Sequence, residues 1–281
     1  MLDSAATQQN IARKSHHADS VNLVGGKPAP SWIELNVVEL CSRTCAFCPR
    51  HDPKIYPNQP LAMAPETASD LARQLHDISF QGTLNISGFG EPLLHRGLED
   101  IVARLANFRV EIVTSGDGLS ARRIRSLHMA GCRYFAISLY DGPEQRQKFE
   151  DMFANAGVDA YVLRDRWQTE ADNFGLSLLT NRAGTVEVGK QAAIDTKKPC
   201  YYLAYSMMID WNGDILLCSQ DWHKQIKFGT VRDGIMAAWT SPAMRKRRMQ
   251  LLRGRDGLHP CSGCNASGTV HGLEHAIAWR S

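Results

Sequence analysis

Three cysteines, Cys41, Cys45 and Cys48, stand at C-x3-C-x2-C spacing directly behind the segment SWIELNVVEL (31–40), which is rich in β-branched and aromatic residues and reads as a strand. Three thiolates on one loop can hold three irons of a [4Fe–4S] cluster, whereas an electron-transfer ferredoxin site supplies a fourth cysteine. No fourth cysteine lies nearby in the chain. One iron is therefore left open to another ligand, which suits substrate chemistry better than electron storage. A zinc loop is the alternative reading; His51 is close, but no histidine stands at finger spacing.

The segments behind this loop alternate in period. Strands are expected at 83–88, 110–115, 134–140, 159–164 and 175–180. Between them apolar residues recur at helical spacing: Ala68, Leu71, Leu75 and Ile78, with Pro65 in the first turn; Leu98, Ile101, Val102 and Leu105; Ile124 and Leu127, closed by Gly131; Phe149, Met152 and Phe153, closed by Gly157. Strands alternating with helices make βαβ units and a parallel sheet. Six strands in 31–195 are too few for a closed eight-stranded barrel, so the expected fold is α/β, an open, trimmed barrel. Residues 1–30 read as a polar leader, either disordered or folded over the body.

After residue 195 the pattern changes. YSMMID (205–210), WNGD (211–214) and ILLC (215–218) read as a β-hairpin with an Asn-Gly turn, followed by helical patches at 232–240 and 242–253 and a Gly/Cys/Ser-rich loop at 256–268. Cys200 and Cys218 bracket the hairpin, and Cys261 and Cys264 form C-x2-C. Four thiolates satisfy either a tetrahedral zinc or every corner of a [4Fe–4S] cluster. The expected domains are thus a leader (1–30), a partial barrel (31–195), a small hairpin/helix domain (196–268) and a tail (269–281).

CSRTCAFC resembles the C-x3-C-x-φ-C signature of radical S-adenosylmethionine (radical SAM) enzymes, with Phe47 as the aromatic φ. ISGFGEP (86–92) is similar to their second-strand Gly-Gly-Glu region, TSG (114–116) to their third-strand end, and ISLYDG (137–142) to their fourth. The resemblance implies an open (β/α)6 TIM-like barrel with SAM at the C-terminal strand ends. It implies that Gly88, Gly90 and Glu91 hold the methionine amino group and that Ser115 and Ser138 approach SAM. C-x12-G-x4-C…C-x2-C resembles the twitch domain, a shortened relative of the SPASM domain. That likeness implies one auxiliary cluster on Cys200, Cys218, Cys261 and Cys264, and hence two [4Fe–4S] clusters in all. Arg164 and Arg182, near the ends of the fifth and sixth expected strands, are candidates to clamp a carboxylate of SAM or substrate.

The family's chemistry implies reductive cleavage of SAM to a 5′-deoxyadenosyl radical that abstracts hydrogen, and a flavodoxin or ferredoxin-type electron donor. Epimerases of this kind need a hydrogen donor, often a free cysteine. Here seven thiols are assigned to clusters, and the eighth, Cys132, precedes the fourth strand, at the end opposite the site. The single auxiliary cluster and small size resemble the aminocyclitol dehydrogenase type, so oxidation of a secondary alcohol on a sugar-like substrate is expected. The rivals are a peptide-crosslinking or epimerising enzyme and a non-catalytic metal-stabilised binding protein. A net charge of +3 is too mild to indicate nucleic acid, and no apolar run reaches the ~18 residues of a membrane span. Without a secretory signal, a cytoplasmic setting with reduced thiols is expected. The basic run Arg245, Lys246, Arg247, Arg248, Arg253 and Arg255 reads as a solvated helix face.

Overall fold

The strands carry two alternating sets of side chains, and each set finds a different partner. The computed structural model describes residues 5–176 and 179–281. Its elements are α1 (Ala5–Ala18), β1 (Leu23–Val24), β2 (Lys27–Pro28), β3 (Trp32–Leu35), α2 (Pro65–Asp77), β4 (Thr83–Ile86), α3 (Leu98–Arg104), β5 (Arg109–Thr114), α4 (Ala121–Ala130), β6 (Cys132–Leu139), α5 (Gln145–Ala156) and β7 (Tyr161–Asp165). They continue with α6 (Tyr202–Tyr205), β8 (Ser206–Ile209), β9 (Asp214–Leu216), β10 (Lys227–Thr230), α7 (Ile235–Trp239), α8 (Pro242–Leu251) and α9 (Leu273–Ala278).

One eight-stranded sheet runs in the order β10-β9-β8-β3-β4-β5-β6-β7. The six strands from β8 to β7 are mutually parallel; β9 runs antiparallel to both its neighbours, β8 and β10. The expected hairpin is present as β8–β9, but β8 also pairs with β3 in parallel register, Trp32 opposite Ser206 and Leu35 opposite Ile209. The hairpin segment that carries Cys218 is thus continuous with the sheet rather than appended to it. The sixth parallel strand is β8, on the far side of β3, not the segment 175–180. Of that segment, 177 and 178 lie outside the described residues, while Asn173–Gly175 is a 3-10 turn and Leu179 makes one isolated bridge to Gln191. The reason is length: 165–174 is too short for a crossover helix, so a further parallel strand cannot follow β7 there.

Ile33, Leu35, Leu84, Ile86, Ile112, Ile137 and Ile209 face the helices and join Leu71, Leu75, Ile101, Ile124, Leu127 and Phe149 in one core. Burying each such side chain contributes about 2 kcal/mol. The other face is polar. Register aligns Met208, Glu34, Asn85, Glu111 and Tyr134 across five strands, and sets Ser138 opposite Arg164. Part of the leader closes this face. Arg13 of α1 pairs with Glu111 and lies 4.7 Å from the Tyr134 ring, and Lys14 pairs with Glu34 at 3.8 Å and lies 4.6 Å from the Trp32 ring.

The basic run is not uniformly solvated. Arg248 is fully buried between Trp239 and Trp279, its guanidinium carbon 4.3 and 3.8 Å from their rings, and donates to the carbonyls of Leu203 (2.6 Å) and Trp239 (2.9 Å). Arg255, also buried, donates to the carbonyls of Cys264 and Ala266. Arg245, Lys246 and Arg253 are exposed.

Candidate active site

The cysteine loop leaves the C-terminal end of β3 and is held at both ends. Cys41 N–H donates to Asn58 Oδ1 (2.9 Å), Asn58 Nδ2 returns to the Cys41 carbonyl (3.0 Å), and Cys48 N–H donates to the Cys45 carbonyl (2.9 Å). Arg43, inside the loop, forks onto Asp141 (2.7 and 2.6 Å) and onto Asp117 through Nε (2.7 Å). Those two acids follow β6 and β5, so the loop is latched to two strand ends. The sequence reading missed all three. Asp117 and Asp141, each just past a strand end, were the available signal. Burial pushes the thiols of Cys41 and Cys48 up, and burial with the two neighbouring thiols pushes Cys45 up to about 12. The three sulfurs therefore share one site.

Behind this loop, 88–91 threads tightly against β3's extension. Gly88 has φ +121°, and a Cβ on Gly90 would stand 1.9 Å from the Val38 carbonyl oxygen. Asn36 Oδ1 accepts from the N–H groups of Phe89 (3.0 Å) and Gly90 (3.2 Å). Glu91 is buried and accepts from the Thr114 hydroxyl, Ser115 N–H (2.8 Å) and Leu93 N–H (3.1 Å). It ties the second strand's loop to the third strand's end. Three of a carboxylate's roughly four acceptor positions are used, leaving one for a ligand.

Ser138 Oγ accepts from Arg164 Nη2 (2.9 Å). Burial, then repulsion from Arg166, lowers Arg164 to about 10, so it remains a cation at neutral pH. Tyr140, next along from β6, feels both Arg164 and Cys45, and its ring stacks 6.1 Å from that of Phe47. Phe47 also meets Phe174, with ring centroids 4.9 Å apart. Arg182 lies near enough to Cys48 to hold its thiol down against the burial effect. The Nε atoms of Arg164 and Arg182 are both buried without a protein acceptor. Each guanidinium thus has one N–H that no protein group accepts. Beside Arg182's turn a cavity of about 360 Å³ opens, lined by Cys48, His51, Asp52, Ile55, Val186 and Glu187.

In the second cysteine group, every pair among Cys200, Cys218, Cys261 and Cys264 interacts electrostatically. Burial raises Cys200 to about 11 and Cys261 to about 12, and raises Cys218 well above the ordinary thiol value, with at least one neighbouring thiol adding to each. Cys200 N–H donates to the Leu251 carbonyl (2.9 Å), and Arg255 holds the Cys264 carbonyl (2.8 Å). All eight cysteines are free thiols. Among the described residues, no three His, Cys, Asp or Glu side chains are gathered tightly enough for a single metal ion. Four mutually interacting thiols are a donor set that can fill every corner of a four-iron cluster. Buried thiols are costly to ionise alone, and a cluster supplies the compensating positive charge.

Cys132 is wholly buried at the start of β6, its thiol raised to about 12 by burial and donating to the Tyr134 carbonyl (3.3 Å). Tyr205 is buried immediately before the start of β8 against His271 and His275. Trp222 packs with Phe89, Met208 and Leu216, with Cys48 and Tyr56 at the cluster's edge. No helix among the described residues is long and apolar enough to cross a membrane.

Residues 35–161 match the radical SAM superfamily, and residues 200–265 match an iron–sulfur cluster-binding domain, SPASM. The chain thus carries a radical SAM domain followed by a SPASM-type domain; these domains imply SAM with a [4Fe–4S] cluster in the first and a further iron–sulfur cluster in the second. Among known proteins it is similar to the S-adenosyl-L-methionine-dependent 2-deoxy-scyllo-inosamine dehydrogenase of Niallia circulans, 26% identical over 242 residues, covering 84% of this chain and 92% of that one. Its fold is that of BtrN solved in complex with AdoMet and 2-DOIA, with a TM-score of 0.73 and 24% identity over 88% of this chain and 98% of that one. BtrN in an open conformation gives a TM-score of 0.64 at 21% identity, over 88% of this chain and 97% of that one.

Proposed function

We propose that this chain is a radical SAM dehydrogenase that oxidises a secondary alcohol of an aminocyclitol or similar small polyol, with the second cluster as electron acceptor. Support comes from the activity of the Niallia circulans relative and above all from the disposition of the thiols. Three thiols share the cysteine loop and four surround a second space. The last, Cys132, is buried at the wrong end of β6 to return a hydrogen atom. A reaction that needs an electron sink rather than a hydrogen donor matches that inventory.

When bound, SAM with the first cluster supplies a hydrogen-atom abstractor, and the second cluster supplies a one-electron acceptor. The chain's own residues set the geometry. Cys41, Cys45 and Cys48 hold the first cluster and leave one corner vacant. Gly88 and Gly90 let the 88–91 backbone run close against Asn36 and Val38, the free acceptor position on Glu91 takes an ammonium, and Ser115, Ser138 and Phe47 line the same strand ends. Arg164 and Arg182 offer their buried Nε–H groups to carboxylate or hydroxyl oxygens. The substrate loses one carbinol hydrogen atom, one hydroxyl proton and one electron, which together leave a ketone. The electron donor is a flavodoxin or ferredoxin-type protein, and seven cysteines given to clusters suit the reducing cytoplasm.

The test is anaerobic turnover of 2-deoxy-scyllo-inosamine deuterated at its carbinol carbons. Deuterium in 5′-deoxyadenosine together with a ketone product supports the reading. Deoxyadenosine formed alongside an epimer, with no ketone, rejects it.

A further inference from the structure

Lys224 lies in the loop that follows Cys218, yet its ammonium reaches the base of the first cysteine loop. Its Nζ donates to Glu39, two residues before Cys41, and to Asp210 at the end of β8 (2.6 Å). Glu39 also accepts from Tyr56 Oη (2.7 Å), Arg50 Nη2 (3.2 Å) and Asn36 Nδ2 (2.7 Å). Asn36 Nδ2 in addition reaches Asp210 (2.8 Å), while its Oδ1 receives the Phe89 and Gly90 amides. Arg50, two residues after Cys48, donates to the Phe89 carbonyl. Glu39, Asp210 and Asn36 are almost entirely buried.

The same loop grips a second time. Trp222 packs edge-on against Tyr56 (4.9 Å) and Phe89 (5.0 Å), and the Lys224 ammonium sits 4.8 Å from the Phe89 ring. Lys224 itself has φ +51°, a backbone state that a non-glycine residue holds only when its surroundings demand it. Two carboxylates and two cations balance, so the network is neutral as built. Removing one cation leaves a buried negative charge uncompensated.

We propose that Lys224 is a positioning residue: through Glu39, Asp210 and Asn36 it locks the second-cluster loop (218–226) to the first cysteine loop and to the 88–91 loop, so that the two cluster sites and the SAM-facing backbone are ordered as one unit. The consequence for turnover rests on the function proposed above. Electron transfer from substrate to the second cluster keeps pace with hydrogen abstraction only while the two sites hold one relative placement.

The experiment compares anaerobically reconstituted wild type, Lys224→Met, Lys224→Arg and the charge-matched double variant Lys224→Met/Asp210→Asn. Hydrogen–deuterium exchange is read over 86–91 and 218–226, with α4 as the folding control. In Lys224→Met the Phe89 and Gly90 amides exchange at least tenfold faster together with the 218–226 loop. Lys224→Arg recovers protection, and the double variant, neutral but unbridged, does not. Loosening confined to 218–226, or full protection of Phe89 and Gly90 in the double variant, overturns the proposal. With 2-deoxy-scyllo-inosamine as substrate, deoxyadenosine released per ketone formed rises severalfold in Lys224→Met and returns with Lys224→Arg; an unchanged ratio overturns the turnover consequence. Wild type that forms no ketone overturns the proposed function, and the exchange data then decide the lock by themselves.

Discussion

Asn181 and Asn265 bond to each other in both directions: Asn181 N–H donates to Asn265 Oδ1 (2.7 Å), and Asn265 N–H donates to Asn181 Oδ1 (3.2 Å). Asn181 Nδ2 adds a bond to the Gly263 carbonyl (2.7 Å). The clasp fixes the Arg182 turn, where Arg182 and Ala183 both have positive φ (48° and 53°), against the Cys261–Gly263 turn. Asn265→Ala leaves buried amide groups unpaired and is expected to cost about 2–3 kcal/mol, read by urea unfolding of the apo-protein. It also slows loading of the second cluster, followed by iron incorporation over time. Wild-type stability and loading would show that the clasp is dispensable.

The two thiol sets separate two chemistries. Cys218→Ala is expected to lower iron and sulfide by about half, to retain deoxyadenosine formation, and to lose the ketone. Cys45→Ala is expected to lower iron equally and to abolish deoxyadenosine. Iron analysis paired with product chromatography checks both.

Arg248 fills a slot between two indole rings and satisfies two carbonyls. Replacing it with Met is expected to destabilise the apo-protein by about 3 kcal/mol, because the carbonyls of Leu203 and Trp239 lose a charged donor. Lys is expected to rescue poorly, since an ammonium cannot reproduce the planar fork. Denaturant midpoints of the three proteins rank wild type above Lys above Met.

His271 and His275 are buried, and burial lowers each from 6.5 to about 4. Between those values the unfolded chain binds more protons than the folded one, so stability present above pH 6.5 is lost as the pH falls toward 4. The ceiling is about 3 kcal/mol per imidazole. Melting temperatures at pH 7.5 and pH 5.0 are expected to differ, and His275→Phe to narrow the gap; an equal gap in that variant would contradict the assignment.

Legibility followed the range of the interactions. β3 to β7 and α2 to α5 could be read because each owes its pattern to one core, with period 2 on strands and period 3.6 on helices. The two cysteine sets stood out because thiols are few in the chain and five of them fall within two short loops, 41–48 and 261–264. The place of β8 was not: its short apolar run fits a hairpin and a parallel partner equally well, and only the missing crossover after β7 hinted that the sixth strand lay elsewhere. Arg248 was hidden by its neighbours' charge, although Met244, Arg248 and Leu251 fall on one buried helical face. Lys224, Glu39 and Asp210 join through space across 185 and 14 residues, and no local pattern announces such a join.

The pairing of β3 with β8 has a consequence for synthesis. On the ribosome, the first long strand waits for a neighbour encoded about 170 residues later. At roughly 5–20 residues per second that wait lasts on the order of 10 to 30 seconds. Throughout it, one edge of a nascent sheet is open to other chains, and a transcript cut short before β8 yields a product that cannot bury that edge.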